Sequence, residues 1–257
     1  MYARRDFLKG VASAPLAGLP LAAVLADPEL ARAAAANLHD YTINTPRGRR
    51  VSGALAMPVG VPAPAIILIH EWWGLNDQIK AVAADFASQG YLAVAVDLMD
   101  GSVATTPEEA RDLTRGVVPE DATDTLIGWA EWLGVHDASN RRLGTIGWCF
   151  GGGWSLNASI ATPVDATVIY YGRVTRSAED LARLKGPVLG HFARRDRFID
   201  EEMVAAWERE MDKAGKTYTT HWYDADHAFA NPTGARFDRE DAALAWRRTL
   251  AFLGENL

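Results

Sequence analysis

The sequence predicts an α/β fold, with a mostly parallel central sheet covered by helices on both faces and no large lid. Three observations lead there. From residue 65 onward, strand-like and helix-like runs alternate, the pattern of consecutive strand–helix–strand units. The strand-like runs are continuously apolar, as Ala65-Ile66-Ile67-Leu68-Ile69 shows, which suits strands buried on both faces. A glycine-flanked residue, Cys149 in Gly147-Trp148-Cys149-Phe150-Gly151, falls where a strand-like run gives way to a helix-like one.

Taken in order, residues 1–36 read as an export leader with an alanine-rich end. Arg4-Arg5 opens a twin-arginine stretch, Val11 to Ala26 is mildly apolar, and small residues continue to Ala36. A basic start, apolar middle and small-residue end are the layout of a signal peptide. Cleavage is expected after Ala26 or within Ala33–Ala36, and the apolar run is too short to serve as a stable membrane anchor. The expected partner of the precursor is the twin-arginine export machinery, and the expected location is periplasmic or secreted.

Residues 37–257 read as one domain. Asp40–Asn44 and Arg50–Met57 form a hairpin around Thr45-Pro46-Arg47-Gly48, and Pro58–Pro64 is a linker. Ala65–Ile69 is a strand, Ile79–Ser88 an amphipathic helix closed by Gly90, and Tyr91–Val96 the next buried strand. Residues Thr105–Asp124 surround or begin helical segments that continue over Thr125–Leu133. Leu143–Gly147 leads into Cys149, followed by a helix to about Ala161. Strands at Val164–Tyr170, Pro187–Phe192 and Thr217–Tyr223 then alternate with helices near Ala178–Leu184, Asp200–Ala214 and Phe237–Leu253. Gly215 takes the position after a helix end that favours glycine. A chain of 257 residues with net charge −7 and no basic cluster is a poor nucleic-acid binder. One cysteine leaves no internal disulfide.

The glycine-x-Cys-x-glycine turn marks an α/β-hydrolase fold with sulfur where serine is usual. Side chains at Gly147 and Gly151 would crowd such a turn, and the helix start behind it favours a thiolate. A nucleophile in this fold needs a base and an acid downstream, each on a loop after a late strand. Asp196 follows Pro187–Phe192, and His227 follows the strand ending near Tyr223. Asp200, Asp224 and Asp226 are alternative acids, but Asp196 comes directly after its strand. Phe150 and Trp72 are the expected N–H donors to a developing oxyanion. Glu71, between His70 and Trp72, is unusual so close to a thiolate. Trp72, Trp73 and Tyr171 are candidates for a substrate cradle. No cofactor is expected, and His70-Glu71 lacks a second histidine at zinc-binding spacing.

These residues resemble the dienelactone hydrolase (carboxymethylenebutenolidase) family over about Asp40–Leu257. The resemblance rests on His70-Glu71-Trp72-Trp73-Gly74-Leu75-Asn76, Asp97-Leu98, Gly147-Trp148-Cys149-Phe150-Gly151-Gly152, Asp196 and His227-Ala228-Phe229. It implies hydrolysis of a small-molecule lactone or ester through Cys149, His227 and Asp196, by way of a thioester. It also implies that Glu71 contacts the resting thiol and assists its activation. Two family arginines are replaced here, one by Asn231 and one in Met99-Asp100-Gly101. Their loss removes charge-assisted hydrogen bonds that select a carboxylate, which favours a neutral lactone or small ester unless Arg173 or Arg197 supplies a cation. Thioesterase, acyltransferase or peptidase chemistry on the same residues are alternatives. So is a non-catalytic binding module or a thiol sensor, although a sensor lacks a resolving cysteine.

Overall fold

A computed structural model describes residues 20–257. Among these, eight strands form one sheet in the order β1-β2-β4-β3-β5-β6-β7-β8. The antiparallel hairpin β1 (His39–Asn44) and β2 (Arg50–Ala56) opens it. β2 then pairs antiparallel with β4 (Leu92–Val96). The other pairings, through β3 (Ala63–Ile69), β5 (Ser139–Trp148), β6 (Ala166–Tyr170), β7 (Val188–Ala193) and β8 (Tyr218–Tyr223), are all parallel.

Alternate residues of the central strands feed two cores, as the two-residue period of a strand requires. Ile66, Leu68, Ala93, Ala95, Ile146 and Val168 pack beneath α3 (Asp77–Ser88) and α9 (Arg239–Asn256). Ile67, Ile69, Val94 and Val96 pack beneath α5 (Pro119–Val135) and α6 (Phe150–Ala161). A third cluster joins Ile169, Val188 and Phe192 to α8 (Glu201–Lys213). The continuous apolar strands are therefore sandwiched, as the sequence predicts. The remaining helices are α4 (Pro107–Gly116), started by a Thr106–Glu109 capping box, and the single turn α7 (Ala178–Leu181).

Two boundaries differ from expectation for identifiable reasons. β3 starts two residues early and contains Pro64, which the sequence places in a linker. Proline donates no ladder hydrogen bond, and the register slips between Ala63 and Ala65 to accommodate it. β5 reaches back to Ser139, where Ala63 pairs with it.

The leader reading falls largely on residues 1–19, including Arg4-Arg5, which lie outside the described residues. Its remainder forms α1 (Leu21–Ala26) and α2 (Pro28–Ala35), which pack on α3. Asp27 caps α2 by accepting from the Glu29 and Leu30 N–H groups. Leu25 and Ala31 join the core under α3. No helix among the described residues is long and apolar enough to cross a membrane.

Candidate active site

The carboxyl ends of the parallel strands converge on Cys149, where β5 turns into α6. The turn holds Cys149 at φ +54°, ψ −113°, a conformation that costs energy for a residue with a side chain. Both flanking glycines are sterically required. A Cβ at Gly147 would meet the Gly151 carbonyl at 2.0 Å, and one at Gly151 would meet the Ile69 carbonyl at 2.2 Å. The close approach of β3, β5 and α6 thus forces the sequence pattern. Two further residues at the site, Tyr171 and Ala228, also have positive φ.

The loops after β7 and β8 bring an imidazole and a carboxylate behind the sulfur. His227 Nε2 lies 3.1 Å from Cys149 Sγ, and Nδ1 lies 2.6 Å from Asp196 Oδ2. The other Asp196 oxygen accepts the Phe198 and Ile199 N–H groups at 2.8 and 3.1 Å. Its carboxylate is therefore buried and fully engaged, the condition under which a buried charge is tolerated. The rival acids are occupied elsewhere. Asp200 caps α8 through the Met203 N–H, while Asp224 and Asp226 pair with Arg195 at 2.5 and 3.5 Å. These last two ion pairs tie the Asp196 loop to the His227 loop.

The loop after β3 closes the other side. His70 is buried; its Nε2 accepts the Leu98 N–H at 3.2 Å, leaving Nδ1 to donate to the Glu71 carbonyl at 2.6 Å. Burial lowers the pKa of the ring, in keeping with this neutral tautomer. Ala104 N–H donates to the Trp73 carbonyl at 2.9 Å, and the loop is pressed so closely that a Cβ on Gly74 would meet the Ser102 carbonyl at 2.2 Å. The half-buried rings of Trp72 and Trp73 stand edge to face, 5.0 Å apart. Trp72 N–H makes no hydrogen bond to another described residue, and the Phe150 N–H bears on the sulfur, favouring its charged form.

Glu71 is buried, and its carboxylate accepts from Asn231 Nδ2 at 2.5 Å and Tyr171 Oη at 3.4 Å. The family resemblance implies a contact with the thiol. Here its oxygens are taken by Asn231 and Tyr171, and Glu71 acts on Cys149 through its charge. Burial raises the Glu71 pKa, partly offset by the Asn231 hydrogen bond and the nearby His227. Burial first, then the Glu71 charge, push the Cys149 thiol up to about 12, against the opposing pull of the Phe150 N–H. The helix start thus acts in the expected direction but is outweighed. Burial and the Glu71 charge together favour the thiol at rest, the form that the family resemblance implies.

Tyr171 requires a correction. It is fully buried, with its ring edge-on to His227 and Phe229 at 5.2 and 5.5 Å, so it backs the site rather than forming part of its exposed wall. The position just after β6 that made it a candidate turns its side chain inward toward Glu71. Two residues escape the sequence reading. Phe198 is 64% exposed with its ring 5.4 Å from His227, an apolar surface at the mouth of the site. Arg236 is exposed, and its charge lowers the pKa of both Glu71 and Cys149. That loop, rather than Arg173 or Arg197, brings a cation to bear on the site. Among the described residues, no group of three or more His, Cys, Asp or Glu side chains is arranged to hold a metal ion.

The sheet, the elbow and the loop order define an α/β-hydrolase. Residues 51–257 match the sequence model of the Dienelactone hydrolase family, and the chain belongs to that family. The Aquifex pyrophilus protein named Protein usf is 30% identical over 225 residues, spanning 82% of this chain and 95% of its own. A carboxymethylenebutenolidase of Pseudomonas putida is 27% identical over 220 residues, spanning 80% and 92%. A crystal structure of dienelactone hydrolase type from Klebsiella pneumoniae superposes with a TM-score of 0.77 at 25% identity, covering 85% of this chain and 98% of that one. The chain is a hydrolase of this family.

Proposed function

We propose that the enzyme hydrolyses a lactone or small carboxylic ester through Cys149, His227 and Asp196, with a thioester intermediate. The observation that carries this reading is the unbroken line Sγ–Nε2, Nδ1–Oδ2 at 3.1 and 2.6 Å. His227 Nε2 takes the thiol proton while Asp196 holds the Nδ1–H and stabilises the imidazolium. The sulfur attacks the carbonyl carbon, and the resulting oxyanion rests on the N–H groups of Phe150 and Trp72. Collapse breaks the ester C–O bond, and the leaving oxygen takes the proton back from Nε2. Water, deprotonated by His227, then attacks the thioester, and the acid is released as the S–C bond breaks and the sulfur takes the proton back from Nε2.

Because the thiol is held neutral at rest, deprotonation is coupled to substrate binding rather than completed before it. Phe198, exposed beside His227, gives the mouth an apolar surface, and the Trp72–Trp73 pair lies on the loop that follows β3. That suits a small neutral acyl or lactone ring. The Arg4-Arg5 stretch supports a companion proposal, that the precursor reaches the periplasm or exterior through the twin-arginine machinery.

The test is intact-protein mass spectrometry during turnover of a panel of neutral lactones and activated esters. An acyl adduct mapped to Cys149, absent in Cys149→Ala, is the expected result. Undiminished turnover by Cys149→Ala would overturn the mechanism.

A further inference from the structure

A cavity of about 410 Å³ lies beneath α1, between α3 and α9. Leu25, Val82, Trp246 and Leu250 give it a mainly apolar wall, which Glu71, Gln78, Asp85, Gln89, Asn231 and Arg247 interrupt. Cys149, His227, Phe150 and Trp72 are not among its lining residues. A molecule inside it therefore touches Glu71 without touching the nucleophile. Its size falls in the range of small-molecule sites. One feature distinguishes it from a packing defect in an apolar core: Asp85 Oδ2 is buried with no hydrogen-bond partner among the described residues. A buried carboxyl oxygen left in that state is costly, and a ligand group that hydrogen-bonds to it removes the cost.

We propose that this cavity is a second ligand site, built for a compact, uncharged apolar molecule that carries one hydroxyl group. The apolar wall takes the body of such a molecule, and the hydroxyl satisfies Asp85. The hydroxyl serves in either protonation state of the carboxyl, because it can donate to the ionised form and accept from the neutral one. A carboxylate ligand is disfavoured by two acidic side chains on the wall. An ammonium group is disfavoured by the loss of its water in a mainly apolar pocket, with Arg247 on the same wall. Leu25 and Ala22 belong to α1, so the closed site belongs to the chain that retains its amino-terminal segment, and removal of a leader after Ala26 or within Ala33–Ala36 opens this side of it. The site goes beyond the hydrolytic reading and does not rest on it.

The test is calorimetric titration of the full chain with phenol, before and after complete alkylation of Cys149 by iodoacetamide. Alkylation fills the space above the sulfur and leaves the cavity untouched. Phenol is expected to bind at one site with affinity unchanged by alkylation, and benzoate at least tenfold more weakly. Val82→Phe, which fills the cavity from α3, and Ala22→Trp, which fills it from α1 without altering the sheet, should each weaken phenol at least tenfold. Asp85→Ala should abolish the preference for phenol over benzene. Loss of phenol binding on alkylation would place it over Cys149 and overturn the proposal. So would absence of binding, or equal binding by both cavity-filling variants. None of these outcomes bears on whether Cys149 forms an acyl adduct, so the two readings fail separately.

Discussion

The two sides of Cys149 pull its proton in opposite directions. On one side, His227 and Asp196 form a line of short hydrogen bonds, with Asp196 further fixed by two backbone N–H groups. That side offers the proton a destination. On the other, Glu71 is a buried carboxyl held by Asn231 and Tyr171, and its charge opposes a thiolate. The first arrangement works by geometry and the second by electrostatics at a distance. The contrast is between a neighbour in hydrogen-bond contact with the sulfur and one that favours its neutral form by charge alone.

The largest effect should come from breaking the geometric side. His227→Ala removes the side chain that bonds to the sulfur, and kcat/KM should fall by about 10²–10⁴-fold. Asp196→Asn leaves a side chain that still accepts the loop N–H groups but no longer stabilises an imidazolium. Its loss should be of similar order, with little change in the temperature of unfolding. Steady-state kinetics beside thermal melts check both. An activity loss matched by global unfolding would show that the array is structural.

The electrostatic side gives the next effect. Glu71→Gln keeps an acceptor for Asn231 and Tyr171 but removes the charge that opposes the thiolate. The thiol pKa should then fall from its position near 12. Iodoacetamide should alkylate Cys149 on the order of tenfold faster at pH 8. Arg236→Gln should move the same profile the other way, because Arg236 favours the thiolate. That change should be only a few-fold and should shrink with added salt, since Arg236 is exposed. Equal rates in wild type and Glu71→Gln across the pH range would remove Glu71 from the account.

What was legible in the sequence divides along the same line. The meeting of Cys149, Asp196 and His227 was legible because chain order and position after a strand bring them together in this fold, and Gly147 and Gly151 advertise the turn. The strand–helix alternation likewise gave the sheet. Asn231 is visible only as a departure from the family, and its hydrogen bond to Glu71 depends on how residues 228–237 fold back across the molecule. Phe198 and Arg236 have no local signature at all, because an aromatic and a cation on polar loops look like ordinary surface. Tyr171 was misjudged for the opposite reason. An aromatic after a strand looks available for binding until the packing of Glu71, His227 and Phe229 around it is known. The packing of α1 and α2 against α3 lies in a stretch whose composition reads as the end of a leader, and such a composition predicts no tertiary contacts.

Asp85 sharpens the comparison at the smallest scale. Like Asp196 and Glu71 it is an acid removed from solvent, but one of its oxygens has no partner, and burial lifts its pKa from the ordinary 3.8 to about 6. A carboxyl raised in the folded state favours folding while protonated. Stability from this group is therefore fully present below pH 3.8 and is lost as the pH climbs through 6. A rise of that size corresponds to about 3 kcal/mol in full, and partial exposure screens it to about 1–2 kcal/mol. Asp85→Asn removes the ionisation without changing the shape of the side chain. It should stabilise the protein by about that amount at pH 8, with the gain vanishing near pH 4, when urea unfolding is compared at the two pH values. A variant equally stable to wild type at both would mean that the Asp85 oxygen is satisfied in solution by a group the side chain can reach, and its orphaned state would then have no energetic weight. Asp196 gives the contrasting result, since Asp196→Asn has no buried unpaired charge to relieve and should yield no gain at pH 8.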